Sequence, residues 1–173
     1  MPEADSICLA CGICCDGTLF AGVTLVAKDN PKWLKATGLN IRQLRSEARL
    51  TQPCAALDGC RCNIYPDRPH YCRQFECLLL KDQLAGKLPR QAALAVITRA
   101  KRLAGKAAKI LTSLDPRGEN TSLRKRYQRA EKRLSGVDPT PEEATEFYDL
   151  SNTMHRLNLL LSKRFYPSEE EPR

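Results

Sequence analysis

The sequence predicts a mainly α protein in which a metal-ordered, loop-rich cysteine module is packed on a C-terminal three-helix bundle. Three observations carry this expectation. All nine cysteines fall within the first 77 of 173 residues. The rest of the chain holds three apolar stripes with 3- and 4-residue spacing, the period of a helix face. Charge also divides along the chain. Residues 1–83 hold 10 basic and 9 acidic side chains, residues 84–134 hold 14 and 3, and residues 135–173 hold 4 and 8. The expected organisation is a metal-binding module over 1–83, a basic helical bundle over 84–166 and a disordered tail over 167–173.

Taken in order, the first segment "CLACGICC" is too dense in thiols to be core packing. "TLFAGVTLVAK" is β-branched and apolar around Gly22, the pattern of a short strand or hairpin arm. Asn30 before Pro31 suits a helix N-cap followed by the first helical position, and Gly38 suits the helix end. A second short helix is expected from Asn40 through "IRQLRSEAR". Residues 54–77 contain Pro53 at their entry, then Gly59, Pro66 and Pro69, so loop and turn should dominate, ordered by metal.

Pro89 opens the first long helix, whose stripe runs Ala93, Val96, Ala100, Leu103, Ala107, Ile110 and Leu114. "DPRGEN" ends it. Leu123, Tyr127, Ala130 and Leu134 form a second stripe before Gly136. Thr140-Pro141-Glu142-Glu143 is a capping box that starts a third helix, striped by Phe147, Leu150, Met154, Leu157 and Leu161. Short linkers imply an antiparallel bundle. There is no internal repeat.

The N-terminus lacks the basic and apolar regions of a secretory signal, and no run reaches the roughly 18 to 20 apolar residues of a membrane span. The expected compartment is cytoplasmic, without membrane association. Thiols stay reduced there, which favours metal ligation over a disulfide framework.

Cys8-x2-Cys11-x2-Cys14 supplies three convergent thiolates, and a remote fourth would complete tetrahedral zinc or a four-iron cluster. The three-thiol x2 spacing leans toward iron–sulfur, with zinc close behind and one or two centres open. Cys15 is expected to face a second site, or to be a non-ligand thiol, because adjacent side chains should diverge. Cys54, Cys60, Cys62, Cys72 and Cys77 lie in the second cluster. Cys60 duplicates Cys62 two residues away and is the expected spare thiol. His70, within that loop, reads as an ordinary loop residue, and His155 as part of the third helix.

"CLACGICC" followed by "CNIYPDRPHYCRQFEC" resembles the YkgJ-type cysteine-cluster family, whose domain is named for chelating zinc or iron. The resemblance implies a metal set of Cys8, Cys11, Cys14, Cys15, Cys54, Cys62, Cys72 and Cys77, with Cys60 outside the pattern. Tyr65, Arg68, Pro69 and Arg73 fall on other motif positions. Tyr65, Arg68 and Arg73 would sit beside the metal, where a guanidinium can offset the charge of four thiolates. Flagellin lysine N-methylase carries a related domain. This chain has no Gly-rich strand-turn-helix motif for S-adenosylmethionine, so that activity is not carried over.

Three functions follow as expectations. The first is a cysteine-ligated metal protein. The second is a redox or cofactor-handling enzyme using a non-ligand cysteine, Cys15 or Cys60. The third is a nucleic-acid-binding module with structural zinc, suggested by "RAKRLAGKAAK" and "LRKRYQRAEKR". No base-reading motif accompanies those basic stretches, and a solvated helix surface is the stronger reading of them. The sequence names no substrate, and a protein or small-molecule partner stays open.

Overall fold

Leu50 sits in the middle of a row of apolar side chains. It pairs with Val23 on one side and Ile41 on the other, so three strands present one apolar row to the same core. The strands are β1 (Gly22–Thr24), β2 (Ile41–Gln43) and β3 (Ala48–Thr51), antiparallel in the order β1-β3-β2. Gly22 is required at the edge, because a Cβ there would stand 2.6 Å from the Leu50 carbonyl oxygen. The computed structural model describes residues 7–116, 118 and 120–166; the tail expected over 167–173 lies outside the described residues.

The expected helix from Asn40 is corrected by β2 and β3. A helix over this stretch would leave Leu50 without the core it now shares with Leu25, Leu34, Leu39 and Ala56. Burial of that one side chain outweighs the local helix preference of "RQLRSEAR". Leu44, which a helical stripe would have buried, is exposed instead.

Helix α1 (Pro31–Ala36) starts as its sequence requires. The Asn30 side chain accepts from the Trp33 amide at 3.0 Å, Pro31 occupies the first turn, and Gly38 follows with φ +87°. The 54–77 stretch is more ordered than expected. It holds a small hairpin of β4 (Leu57–Asp58) and β5 (Arg61–Cys62), a 3-10 turn at Tyr65–Asp67 and helix α2 (His70–Gln74). Helix α3 (Leu78–Leu84) was not expected either. Its apolar "LLL" run is too short for periodicity to declare it a helix.

The long helices follow the stripes. Helix α4 spans Arg90–Leu114, α5 Leu123–Ser135 and α6 Pro141–Arg164. The α6 capping box forms in full: Thr140 accepts from the Glu143 amide and the Glu143 carboxylate accepts from the Thr140 amide. The buried face of α4 is Ala93, Ile97, Ala100, Leu103, Ala104, Ala107, Leu111 and Leu114, so Val96 and Ile110 stand at its margin. Alanines at four of these eight positions let α6 approach closely. Ser113 near the end of α4 donates to Glu146 near the start of α6, which sets the pair antiparallel.

The chain divides into two compact units. One comprises Met1–Phe75 with Asn120–Lys125, the other Glu76–Glu119 with Arg126–Arg173. In the first unit the 120–125 segment is tied in where Leu123 donates its amide to the Gly17 carbonyl at 3.1 Å. In the second, Asp115 takes ion pairs from Arg126 and Arg129 of α5, and Tyr127 stacks on Phe147 of α6 at 5.8 Å between centroids. Among the described residues no helix is long and apolar enough to cross a membrane.

Candidate metal centre

The 8–17 segment is a run of turns rather than a regular element. Cys11 donates its amide to Cys8, closing the Cys-x2-Cys turn at 3.1 Å. Gly12 (φ +74°) then reverses the chain, and the Cys15 and Asp16 amides both bond its carbonyl oxygen. This wrapping turns the next two side chains toward each other. The Cys14 and Cys15 sulfurs stand 3.6 Å apart. The expected divergence of the vicinal pair is therefore corrected. It holds for an extended chain, and here the backbone is curled around the Gly12 carbonyl.

The second cluster reaches the same place by backbone pairing. Cys54 donates its amide to the Cys15 carbonyl at 2.8 Å, and Cys54, Cys62 and Cys72 pack against the core beneath the three-stranded sheet. Electrostatics give the grouping of thiols. Cys15 feels the charges of Cys14, Cys54 and Cys72; Cys72 feels Cys54, Cys14 and Cys62. Cys14, Cys15, Cys54, Cys62 and Cys72 are thus linked through one another's charge.

Protonation follows from that crowding. The Cys14–Cys15 contact, in which either sulfur can be the donor, pushes the Cys15 thiol up and brings Cys14 below its ordinary value. Burial, ahead of the neighbouring thiols, pushes Cys72 up to about 12 and also raises Cys54. The Arg68 guanidinium acts in the opposite sense, favouring the thiolates of Cys14 and Cys72. Arg68 is fixed for that role: its Nε donates to the Tyr65 carbonyl at 2.9 Å, and the guanidinium lies 3.6 Å over the Tyr65 ring.

Other candidates sit elsewhere. Arg73 is exposed and lines a cleft of about 240 Å³ with Lys28, Trp33 and Arg68. Cys60, at the tip of the β4–β5 hairpin, lies against Gly12, whose Cβ would stand 3.4 Å from the Cys60 Cα. The hairpin thus carries Cys60 to the end of the Cys8–Cys11 turn, a placement that sequence spacing did not signal. Cys77 belongs to the second compact unit, as the residue before α3. His70 is the first residue of α2, its amide bonded to Asp29, and His155 is exposed. The residue that sequence reasoning missed is Asp29, whose two carboxylate oxygens accept from the Val26 and His70 amides. An Asp-Asn-Pro run before a helix reads as capping, and nothing local signals the long-range bond.

All nine cysteines are half-buried. Among the described residues, no three His, Cys, Asp or Glu side chains stand together as a ready-made metal site. The donor chemistry nevertheless suits a thiophilic metal: sulfur only, with a cation alongside. A family model described as "Putative zinc- or iron-chelating domain" and named for the pattern CxxCxxCC matches residues 7–93, just over half the chain. The chain belongs to the CxxCxxCC family. The CxxCxxCC match takes in every cysteine and ends in the first turn of α4, so it leaves most of the helical unit outside. No curated protein and no solved structure matches the chain.

Proposed function

We propose that this CxxCxxCC domain holds a single zinc or iron ion through Cys14, Cys15, Cys54 and Cys72, and that the ion orders the cysteine-rich unit. The observation that carries this reading is the 3.6 Å separation of the Cys14 and Cys15 sulfurs. Four thiolates about 2.3 Å from a tetrahedral ion stand roughly 3.8 Å from one another, so the pair already spans one edge of such a site. Cysteines of a four-iron cluster ligate separate irons and have no need of adjacent sulfurs.

Energetics supports an ordering role. Among the described residues, the core under the sheet holds five buried side chains, Leu25, Leu34, Leu39, Leu50 and Ala56, with Val23, Ile41, Ala48 and Ile64 partly buried against them. A core of that size contributes little, and metal binding free energy becomes folding free energy when the site exists only in the folded chain. The bound ion would replace the thiol protons that burial favours in its absence. Arg68 would offset part of the net negative charge of four thiolates on a divalent ion. Cys62, whose charge also reaches Cys54 and Cys72, is a candidate substitute ligand.

A second reading, a four-iron cluster on Cys8, Cys11 and Cys14 with a remote thiolate, is supported by the x2 spacing of those three residues. Metal analysis and the visible spectrum of protein purified without oxygen separate the two. The single-ion reading expects colourless zinc protein that turns blue or green on cobalt exchange, or one iron per chain without inorganic sulfide. Four irons with stoichiometric sulfide would overturn it.

A further inference from the structure

The chain's positive charge is concentrated on two helices, α4 and α5. Helix α4 holds six basic side chains and no acid, while the remaining residues hold 22 basic and 20 acidic ones. Solvated helix faces ordinarily mix both signs. Four of the six, Arg99, Arg102, Lys106 and Lys109, are spaced 3, 4 and 3 residues apart. They occupy the helix face opposite the one buried by Ala93, Ala100, Ala104, Ala107 and Leu111. All four are exposed, in a line about 15 Å long at 1.5 Å rise per residue.

The two basic helices are not equivalent. Helix α5 commits Arg126 and Arg129 to Asp115, and Arg133 to Glu143. Two acids near the start of α6 are engaged as well, Glu143 by Arg133 and the Thr140 amide, Glu146 by Ser113. No ion pair or hydrogen bond with a described residue engages Arg99, Arg102, Lys106 or Lys109. Among the described residues, α5 keeps only Arg124, Lys125 and Lys132 outside these ion pairs, whereas α4 presents a continuous row.

We infer that the outer face of α4 binds the phosphate backbone of single-stranded nucleic acid, without reading sequence. A flexible strand can lay successive phosphates along a straight row of cations, and each contact releases a condensed counterion. Ala95, Gly105 and Ala108 keep side chains short around the row, so a strand can approach closely. No aromatic side chain lies on α4, so bases have no stacking platform there and contacts stay on phosphate and sugar. The inference stands apart from the metal reading, since the row lies in the second compact unit, beyond the family match.

The test is fluorescence anisotropy of a labelled, mixed-sequence single-stranded RNA of roughly 20 nucleotides with the full, metal-loaded chain, from about 50 to about 200 mM salt. Four phosphate contacts predict a log–log slope of about −2.8, an affinity loss of about 50-fold over that range. The pairs R99Q/R102Q and K106Q/K109Q should each cut the slope by about 1.4 at unchanged helical circular dichroism. Removing the same charge elsewhere, with Lys32, Lys35, Lys87 and Lys163 changed to Gln, should leave the slope near its original value. An unchanged slope in both α4 pairs would overturn the proposal, as would equal losses in the distant variant. So would binding to phosphatidylserine–phosphatidylcholine vesicles with none to RNA.

Discussion

Asp29 and His70, 41 residues apart in sequence, are joined by a 2.8 Å hydrogen bond from the His70 amide to an Asp29 carboxylate oxygen. The other carboxylate oxygen accepts from the Val26 amide at 2.9 Å. One side chain thus fastens the loop before α1 to the first turn of α2, the helix that carries Cys72. Asp29→Ala should cost about 1–3 kcal/mol by urea denaturation, the range for losing hydrogen bonds to a charged acceptor. Metal should also leave faster in competition with a chelator, because Cys72 loses its anchor. Unchanged release would show that α2 is held by its other contacts.

The Cys14–Cys15 pair gives a stoichiometric prediction. If one ion takes both sulfurs, Cys14→Ser and Cys15→Ser should each abolish the same ion, with metal per chain falling by equal amounts. Two ions, each lost in only one of the variants, would mean that the pair serves separate centres despite its 3.6 Å separation.

Thiol titration sets the pH dependence of the metal-free protein. Burial raises the folded-state value of Cys72 to about 12 from an ordinary 9.0, so the folded chain keeps a proton that the unfolded chain releases. This contribution to stability is present below about pH 9 and is lost as pH rises toward about 12. Urea denaturation of reduced, metal-free protein should show that decline, and Cys72→Ala should lessen it while the raised Cys15 and Cys54 thiols keep the rest. Metal affinity should run the other way, rising with pH, because a thiol must lose its proton to become a ligand. A metal affinity independent of pH would exclude ligation by these raised thiols.

In the helical unit, Asp115 and Arg126 have side chains only 8% exposed, with 3.8 Å between Arg126 Nε and the carboxylate. Arg126 Nε and Nη2 have no hydrogen-bond partner there, so Asp115 is the charge that balances them. Asp115→Asn should destabilise by about 3–5 kcal/mol, the cost of leaving a buried charge unpaired. Adding Arg126→Met should restore most of that loss. Gly118→Ala should act in the same direction, because a Cβ at Gly118 collides with the Asp115 and Arg129 side chains. Thermal denaturation of the single and double variants separates these effects.

Local sequence was enough for the long helices and for the N-caps of α1 and α6. Asn30-Pro31, Thr140-Pro141-Glu142-Glu143 and the 3/4 stripes act within a few residues, so their physics is local. Tertiary structure decided β2 and β3, because Leu50 is buried only when Val23 and Ile41 flank it, and those partners are 27 and 9 residues away. It also decided which thiols meet. Spacing grouped Cys8, Cys11 and Cys14, whereas the turn around Gly12 and the Cys54–Cys15 backbone bond bring Cys14 and Cys15 together beside Cys54 and Cys72. Charge followed the same rule. Two basic stretches were visible in the chain, but only the fold, by bringing Asp115 and Glu143 to α5, distinguished its paired cations from the row of Arg99, Arg102, Lys106 and Lys109 on α4. A side chain's own type fixes its charge and its helical phase, whereas its partners are fixed by which distant segments the core brings alongside it.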